Sequence, residues 1–251
     1  MMLDNPIAIR KNKTIYKDGN TIVKLFVPGH SKSEVLNEAL NQTRVEESSN
    51  LNVPKLLEVK KIDNRWALIS EYVEGKTITE LMRENPDKID HYLELFVKVQ
   101  LVVLDNEVPM LNRIKEKFKR KLENAKNIDD NTRYELLQRL EGMKNHNKLC
   151  HGDFHPSNVI VQEDGTVYVI DWSHVTQGNA SADAARSYLL FSMDGHEDIA
   201  NMYLDLFSTL SGIDKGNIQR WIPIVAATQM TKNIPEEQQF LSNWINVVDY
   251  E

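Results

Sequence analysis

The sequence has a single cysteine, Cys150, among 251 residues, which excludes an internal disulfide and any cysteine-rich zinc site. Ten glycines and eight prolines are too few for a low-complexity or collagen-like chain. No apolar run approaches the ~18 residues of a membrane span. The opening Met-Met-Leu-Asp-Asn-Pro has neither a basic nor an apolar segment, so no signal peptide is expected. Positive charge is not in excess: thirty Lys and Arg face thirty-seven Asp and Glu, for a net charge of −7. That argues against nucleic acid as the main partner and leans towards a cationic ligand. The expectation is a cytoplasmic protein bound to neither membrane nor nucleic acid. What the chain does have is bulk: 41% hydrophobic residues can fill the core of one or two domains.

Two textures divide it. Ile7–Ile9, Thr14–Tyr16, Thr21–Phe26, Val53–Val59 and Trp66–Val73 read as short strands. Asp18-Gly19 marks a hairpin between the second and third. Ser31 with Glu34 has the spacing of a capping box opening a helix to about Glu47, with Val35, Leu36, Ala39 and Leu40 on its apolar face. From Thr77 the period becomes helical. Thr77 with Glu80 and Thr132 with Glu135 form two more such boxes, and His91–Leu104, the stripe Leu111, Ile114, Phe118, Leu122, and the runs Ser181–Met193, Ile199–Leu210, Ile218–Met230 and Glu236–Val248 read as helices. The boundary is expected near Glu71–Lys76, giving domains 1–73 and 74–251.

The residues with the strongest chemical pattern interrupt the helices. His151-Gly152-Asp153-Phe154-His155-Pro156-Ser157-Asn158 runs into Val159-Ile160-Val161, and Val169-Ile170-Asp171-Trp172 follows a turn at Asp164-Gly165. Two paired strands would then carry Asn158 and Asp171 at their ends, with Asp153 close by. Hard oxygen donors in that number suit Mg²⁺, which keeps one or two protein ligands and takes the rest from phosphates and water. Asn158 and Asp171 fit that role, and Asp153 fits a carboxylate that accepts a proton from an attacking hydroxyl.

This pattern, His-Gly-Asp-x-His-x-x-Asn then Ile-Asp-Trp, resembles the aminoglycoside phosphotransferase and choline kinase-like family of small-molecule kinases. The resemblance covers most of the chain. It implies an α+β, bilobal, protein kinase-like fold: a small β-sheet lobe with one helix, 1–73, and a larger mainly helical lobe, 74–251, with the catalytic loop and acceptor site. It implies transfer of the γ-phosphoryl group of ATP, with GTP an option, to a hydroxyl of a small molecule. By the same resemblance Lys24 on Thr21–Phe26 would contact the α- and β-phosphates, Glu38 would brace it, and the backbone of Glu71 and Val73 would meet the adenine edge. Asp183, in Gly178-Asn179-Ala180-Ser181-Ala182-Asp183-Ala184-Ala185-Arg186, would brace the catalytic loop. The chain departs from the family in having no glycine-rich phosphate loop; the first hairpin tip is Arg10-Lys11-Asn12-Lys13, where Lys11 or Lys13 could supply charge in place of backbone amides.

Other readings compete. Asp153, Asn158 and Asp171 could be turn and cap residues, or the chain could be a pseudokinase that binds nucleotide without transfer. A protein kinase is disfavoured, because Ile-Asp-Trp stands where Asp-Phe-Gly would and no Ala-Pro-Glu segment follows. His151 and His155 have zinc-pair spacing, but Gly152 and Pro156 oppose a continuous helix there. The basic run Lys115 to Lys121 reads as a solvated helix face, Cys150 as a buried small hydrophobe, and the tryptophans as core residues. Acceptors from aminoglycosides to choline-like amino-alcohols, homoserine-like compounds and sugars fit the family, and the acidic Asp249–Glu251 end favours cationic ones.

Overall fold

A computed structural model describes residues 6–246. In chain order the strands are β1 (Pro6–Ile9), β2 (Lys13–Asp18), β3 (Thr21–Phe26), β4 (Leu56–Ile62), β5 (Arg65–Glu71), β6 (Lys76–Thr77), β7 (Lys148–Cys150), β8 (Val159–Val161), β9 (Val167–Val169) and β10 (Thr176–Gly178). The helices are α1 (Lys32–Ser48), α2 (Ile78–Glu84), α3 (Ile89–Leu104), α4 (Ile114–Glu123), α5 (Asp130–Gly142), α6 (Ala180–Met193), α7 (Glu197–Ser211), α8 (Lys215–Gln219), α9 (Ile222–Met230) and α10 (Pro235–Ser242). The chain forms two compact units.

The first unit takes in the residues up to Glu84 together with Pro156–His174. Its sheet is antiparallel in the order β1-β2-β3-β5-β4. Alternation along β3 gives its two faces different work. Val23 and Leu25 join Ala67 and Ile69 in one core cluster. Phe26, on the same face as Lys24, joins Leu68 and α1 residues Val35 and Ala39 in another. The buried stripe of α1 is Val35, Glu38, Ala39, Gln42 and Val45, at helical spacing. Leu36 and Leu40, expected on that face, are exposed instead, because Glu38 and Gln42 take the inward positions. The β4–β5 turn is Asp63-Asn64, both at positive φ, the backbone a tight hairpin turn demands. A second sheet, β6-β8-β9, joins this unit, and α1 lies against Trp172–His174.

The second unit comprises Asn85–His155 and the chain from Val175. Phe96 of α3 stacks among Phe154, Phe191 and Tyr203, with ring centroids at 4.7, 5.7 and 5.9 Å. The stripe Leu111, Ile114, Phe118 and Leu122 is buried, and Phe118 meets Trp221 edge-on. Strands β7 and β10 pair antiparallel. No helix among the described residues is long and apolar enough to cross a membrane.

The β8–β9 hairpin pairs with β6 and packs with the sheet unit. Of the three capping boxes only one forms: Glu80 N–H donates to Thr77 Oγ1 at 3.1 Å and Thr77 N–H to Glu80 Oε2 at 2.8 Å. Ser31 makes no cap bond; its hydroxyl meets that of Ser33, and Glu34 pairs with His30. Helix α5 starts two residues before Thr132 and is capped by Asp129. The helix expected over Ile218–Met230 breaks into α8 and α9 ahead of Pro223, and α10 ends at Ser242. Val248 and the acidic Asp249–Glu251 lie outside the described residues.

Candidate active site

In the sheet unit, β3 presents Lys24 towards α1, where Glu38 sits on the inward stripe. Lys24 Nζ donates to Glu38 Oε1 at 2.8 Å and to Asp171 Oδ1 at 3.2 Å. Lys24 and Glu38 are each only 8% exposed. Burial by itself would depress the Lys24 pKa; the carboxylates of Asp171 and Glu38 outweigh it and hold the ammonium well above the ordinary lysine range.

Lys13 joins the same network. Its Nζ lies 3.3 Å from Glu38 Oε1 and 3.6 Å from Asp171 Oδ2. The sequence offered Lys11 or Lys13 for this place. Register decides it, since Lys13 pairs with Phe26 at the start of β2 and so points to the α1 side. Two lysines therefore share two carboxylates, Lys24 from β3 and Lys13 from the hairpin that lacks glycines.

Asp171 adopts φ 63°, a left-handed backbone that costs a non-glycine residue energy and recurs at functional sites. Ile170 N–H donates to the Asn158 carbonyl at 2.9 Å, which clamps the two ends of the β8–β9 hairpin together. Trp172 is buried and its indole N–H donates to the Val169 carbonyl, so it is a packing residue. A cavity of about 290 Å³ is lined by Lys13, Lys24, Glu71, Val73, Asn158 and Asp171 among others. All the expected nucleotide and metal residues except Glu38 thus face one space, and Glu38 reaches it through both lysines. Asn158 and Asp171 offer an amide and a carboxylate oxygen, a donor set that fits Mg²⁺ shared with phosphates and does not fit zinc. Among the described residues no group of three His, Cys, Asp or Glu is placed to hold a metal, and the zinc reading of His151 and His155 gains no third ligand.

After β5, Tyr72 N–H donates to the Asn20 carbonyl and Glu71 N–H to the Lys55 carbonyl. The Glu71 carboxylate accepts from Lys55 N–H at 3.2 Å. These bonds fix the segment that carries Glu71 and Val73 along the cavity.

In the second unit the catalytic-loop residues hang from α6. Gly152, at φ 78°, donates its N–H to Asp183 Oδ1 at 2.7 Å. Asp183 is 1% exposed and also accepts from Gln100 Nε2 at 3.1 Å. Burial pushes its pKa up against the opposing hydrogen bonds. Asp183 is therefore a brace for the loop. Asp153 Oδ1 accepts from Arg186 Nη2 at 2.9 Å, one turn of α6 beyond Asp183. The sequence named Arg186 only as part of a motif and gave no partner for it. His155 Nε2 meets Asp194 Oδ2 at 3.0 Å. His151 is fully buried, its Nδ1 accepting from Asp153 N–H at 3.3 Å. Cys150 is buried and burial raises its thiol pKa, so it is an inert packing group.

The basic run on α4 is not uniformly solvated. Lys115 Nζ donates to the Glu141 and Met143 carbonyls at the end of α5. Lys117 and Lys121 are half-buried. Burial first, then neighbouring cations, push Lys117 down to about 7 and Lys121 down to about 8.

An antiparallel sheet with one inward Lys–Glu pair, a hairpin ending in Asn and a left-handed Asp, and a helical unit holding a braced His-Gly-Asp loop together define a kinase-like protein. The phosphotransferase enzyme family (APH) matches residues 11–217. The chain belongs to this family, and it is a phosphotransferase. Comparison with solved structures gives the same fold. A thermostable mutant of the aminoglycoside phosphotransferase APH(4)-Ia, in complex with ADP and hygromycin B, is 12% identical with a TM-score of 0.70, over 96% of this chain and 90% of that one. An aminoglycoside-3′-phosphotransferase of type VIII is 15% identical with a TM-score of 0.61, over 90% and 92%. The GDP and kanamycin complex of APH(2″)-IIIa is 13% identical with a TM-score of 0.58, over 98% and 90%. The comparison with curated proteins gave no match.

Proposed function

We propose that the protein transfers the γ-phosphoryl group of ATP or GTP to a hydroxyl of a small molecule. The observation that carries this is the convergence of Lys24, Asp171 and Asn158, at the positions the family resemblance assigns to phosphates and metal, on one cavity that Lys13 also lines. Residues 1–73 act as the nucleotide lobe, and 74–251 carry the catalytic loop and acceptor site. The Glu71 carbonyl and Val73 N–H receive the base edge. Backbone contacts of this kind admit adenine, and solved relatives with ADP and with GDP leave guanine in play.

Lys24 places a positive charge against the phosphates, and Glu38 holds its ammonium in place by a hydrogen bond. Asn158 and Asp171 would hold Mg²⁺, which when bound neutralises charge on the transferring phosphate. Asp153 accepts the proton of the acceptor hydroxyl or aims its lone pair, while Arg186 fixes the carboxylate through its Nη2. Positioning and charge neutralisation supply most of the rate in such a loose transition state. A cytoplasmic location follows from the nucleotide substrate.

The test is Mg²⁺-dependent nucleoside diphosphate release with ATP and GTP against pooled hydroxyl acceptors. Asp153→Asn should lower acceptor-stimulated release by about 10²–10⁴-fold while nucleotide affinity stays near that of the parent. Full activity in Asp153→Asn would remove its assigned role. Nucleotide binding with no release for any acceptor would make the protein a pseudokinase.

A further inference from the structure

The acceptor's charge can be read from the groups that surround Asp153. Helix α4 packs on α9, and α9 on α6. That packing gathers Lys117 and Lys121, four residues apart on α4, with Lys232 just past α9 and Arg186 on α6. Each of the three lysines senses Arg186, and Lys117 and Lys232 also sense Asp153. Two carboxylates, Asp153 and Glu237, lie near these cations, and each has a partner: Asp153 accepts from Arg186, and Glu237 accepts from Gln229 Nε2 at 2.7 Å while lying near Lys232. Among the described residues Lys121 and Lys232 form no ion pair.

Arg186 supplies a second, independent sign. It is only 8% exposed, and its Nη1 is buried with no hydrogen-bond partner among the described residues. A buried guanidinium nitrogen left unpaired costs free energy, as does crowding like charges on half-buried stems. A bound oxyanion relieves both costs at once, since a phosphate or carboxylate matches guanidinium and ammonium donors.

We propose that the acceptor carries, besides its hydroxyl, an oxyanion group held by Lys117, Lys121, Lys232 and Arg186 beside Asp153. The inference rests on the phosphotransferase reading of the same site, and it opposes the cationic acceptor that the acidic composition favours. Net charge sets a diffuse field, whereas these four side chains set the local one. In the reaction the acceptor hydroxyl oxygen bonds to Pγ, the bond from Pγ to the β-bridging oxygen breaks, and nucleoside diphosphate leaves. The hydroxyl proton passes to Asp153, and the oxyanion stays unreacted among the lysines.

The experiment compares hydroxyl-bearing acceptors that differ in charge: anionic glycerol 3-phosphate and glycerate, neutral glycerol, and cationic ethanolamine and kanamycin. The readout is nucleoside diphosphate release by the full chain. The anionic pair should be preferred by at least about tenfold in kcat/KM, the scale of one charge-assisted contact. Lys121→Gln and Lys232→Gln should each raise the acceptor KM about tenfold with little change in kcat or in nucleotide Kd, and Lys121→Arg should restore most of the loss. The phosphate and carboxylate arms tell the two oxyanions apart. Preference for ethanolamine or kanamycin would overturn the inference while leaving the kinase reading intact. So would a loss of nucleotide affinity, rather than acceptor affinity, in the glutamine variants. If no acceptor stimulates release, titration with glycerol 3-phosphate by calorimetry decides. Binding weakened by both glutamine variants sustains the oxyanion site although the transfer reading fails, and absence of binding overturns the site.

Discussion

Lys13 is the residue whose importance is least visible from its surroundings in sequence. It sits at the mouth of a hairpin among Arg10, Lys11 and Asn12, yet only 8% of it is exposed. Its Nζ shares Glu38 and Asp171 with Lys24. A glycine-rich loop binds phosphate through backbone N–H groups; this hairpin brings a second point charge instead. Lys13→Gln should weaken nucleotide affinity by about tenfold, in a titration where Lys11→Gln, exposed at the same tip, changes little. Equal effects of the two would return the role to general surface charge. Asp183 acts differently. It takes the Gly152 N–H and the Gln100 amide, and Gln100 in turn accepts from Tyr203 O–H at 2.6 Å. Asp183→Ala would leave the half-buried Gly152 N–H unmet and the buried Gln100 amide with only Ser187 Oγ to donate to. It should cost roughly 3 kcal/mol of stability in chemical denaturation, and turnover should fall with it as the loop loses its anchor.

Elements explain why distant residues meet. The alternation of β3 sends Lys24 and Phe26 to the α1 side while Val23 and Leu25 pack on the other. The helical period of α1 turns Glu38 inward with Val35 and Ala39. The β8–β9 hairpin needs a third strand, and Gly75 permits it. Gly75 has φ 143°, and a Cβ there would lie 2.5 Å from the Val161 carbonyl oxygen. Gly75→Ala should therefore push β6 off β8 and destabilise the fold by about 1–3 kcal/mol. The measurement is a denaturation midpoint, with Gly142→Ala, where a Cβ meets nothing within 4 Å, as the control. An unchanged midpoint in Gly75→Ala would mean that β6 is not held to β8 as described.

At the scale of the whole molecule, the acidic balance of the chain coexists with a basic cluster in the second unit. Burial, then Lys121, Lys232 and Arg186, lower the Lys117 pKa to about 7, with Asp153 opposing; Lys121 falls to about 8. Unfolded, both lysines titrate near the ordinary 10.5. Between about pH 7 and 10.5 the unfolded chain thus binds more protons than the folded one. This cluster makes folding stability rise with pH across that window, and its full cost is present below it. Thermal unfolding of the parent should show that slope, and Lys117→Met should flatten it. A slope unchanged in Lys117→Met would assign it to other groups.

Much of the site was legible in the chain. The His-Gly-Asp-x-His-x-x-Asn and Ile-Asp-Trp segments carry their chemistry in adjacent residues, and a hairpin signal between them dictates that Asn158 and Asp171 meet. Period-2 and helical patterning gave the sheet, its strand positions and most helices, because those periods are set by backbone geometry alone. Capping was less legible: Ser31 and Thr132 have the right spacing, but His30 and Asp129 compete for the same local bonds. Tertiary structure alone decided which charges share a space. Whether Lys11 or Lys13 turns inward depends on strand register. Whether Lys117 and Lys121 are solvated depends on α9 packing beside them. The partner of Arg186 lies thirty-three residues away along the chain. Local pattern fixes which way a side chain leaves its own element; only the packing of elements fixes what it finds there.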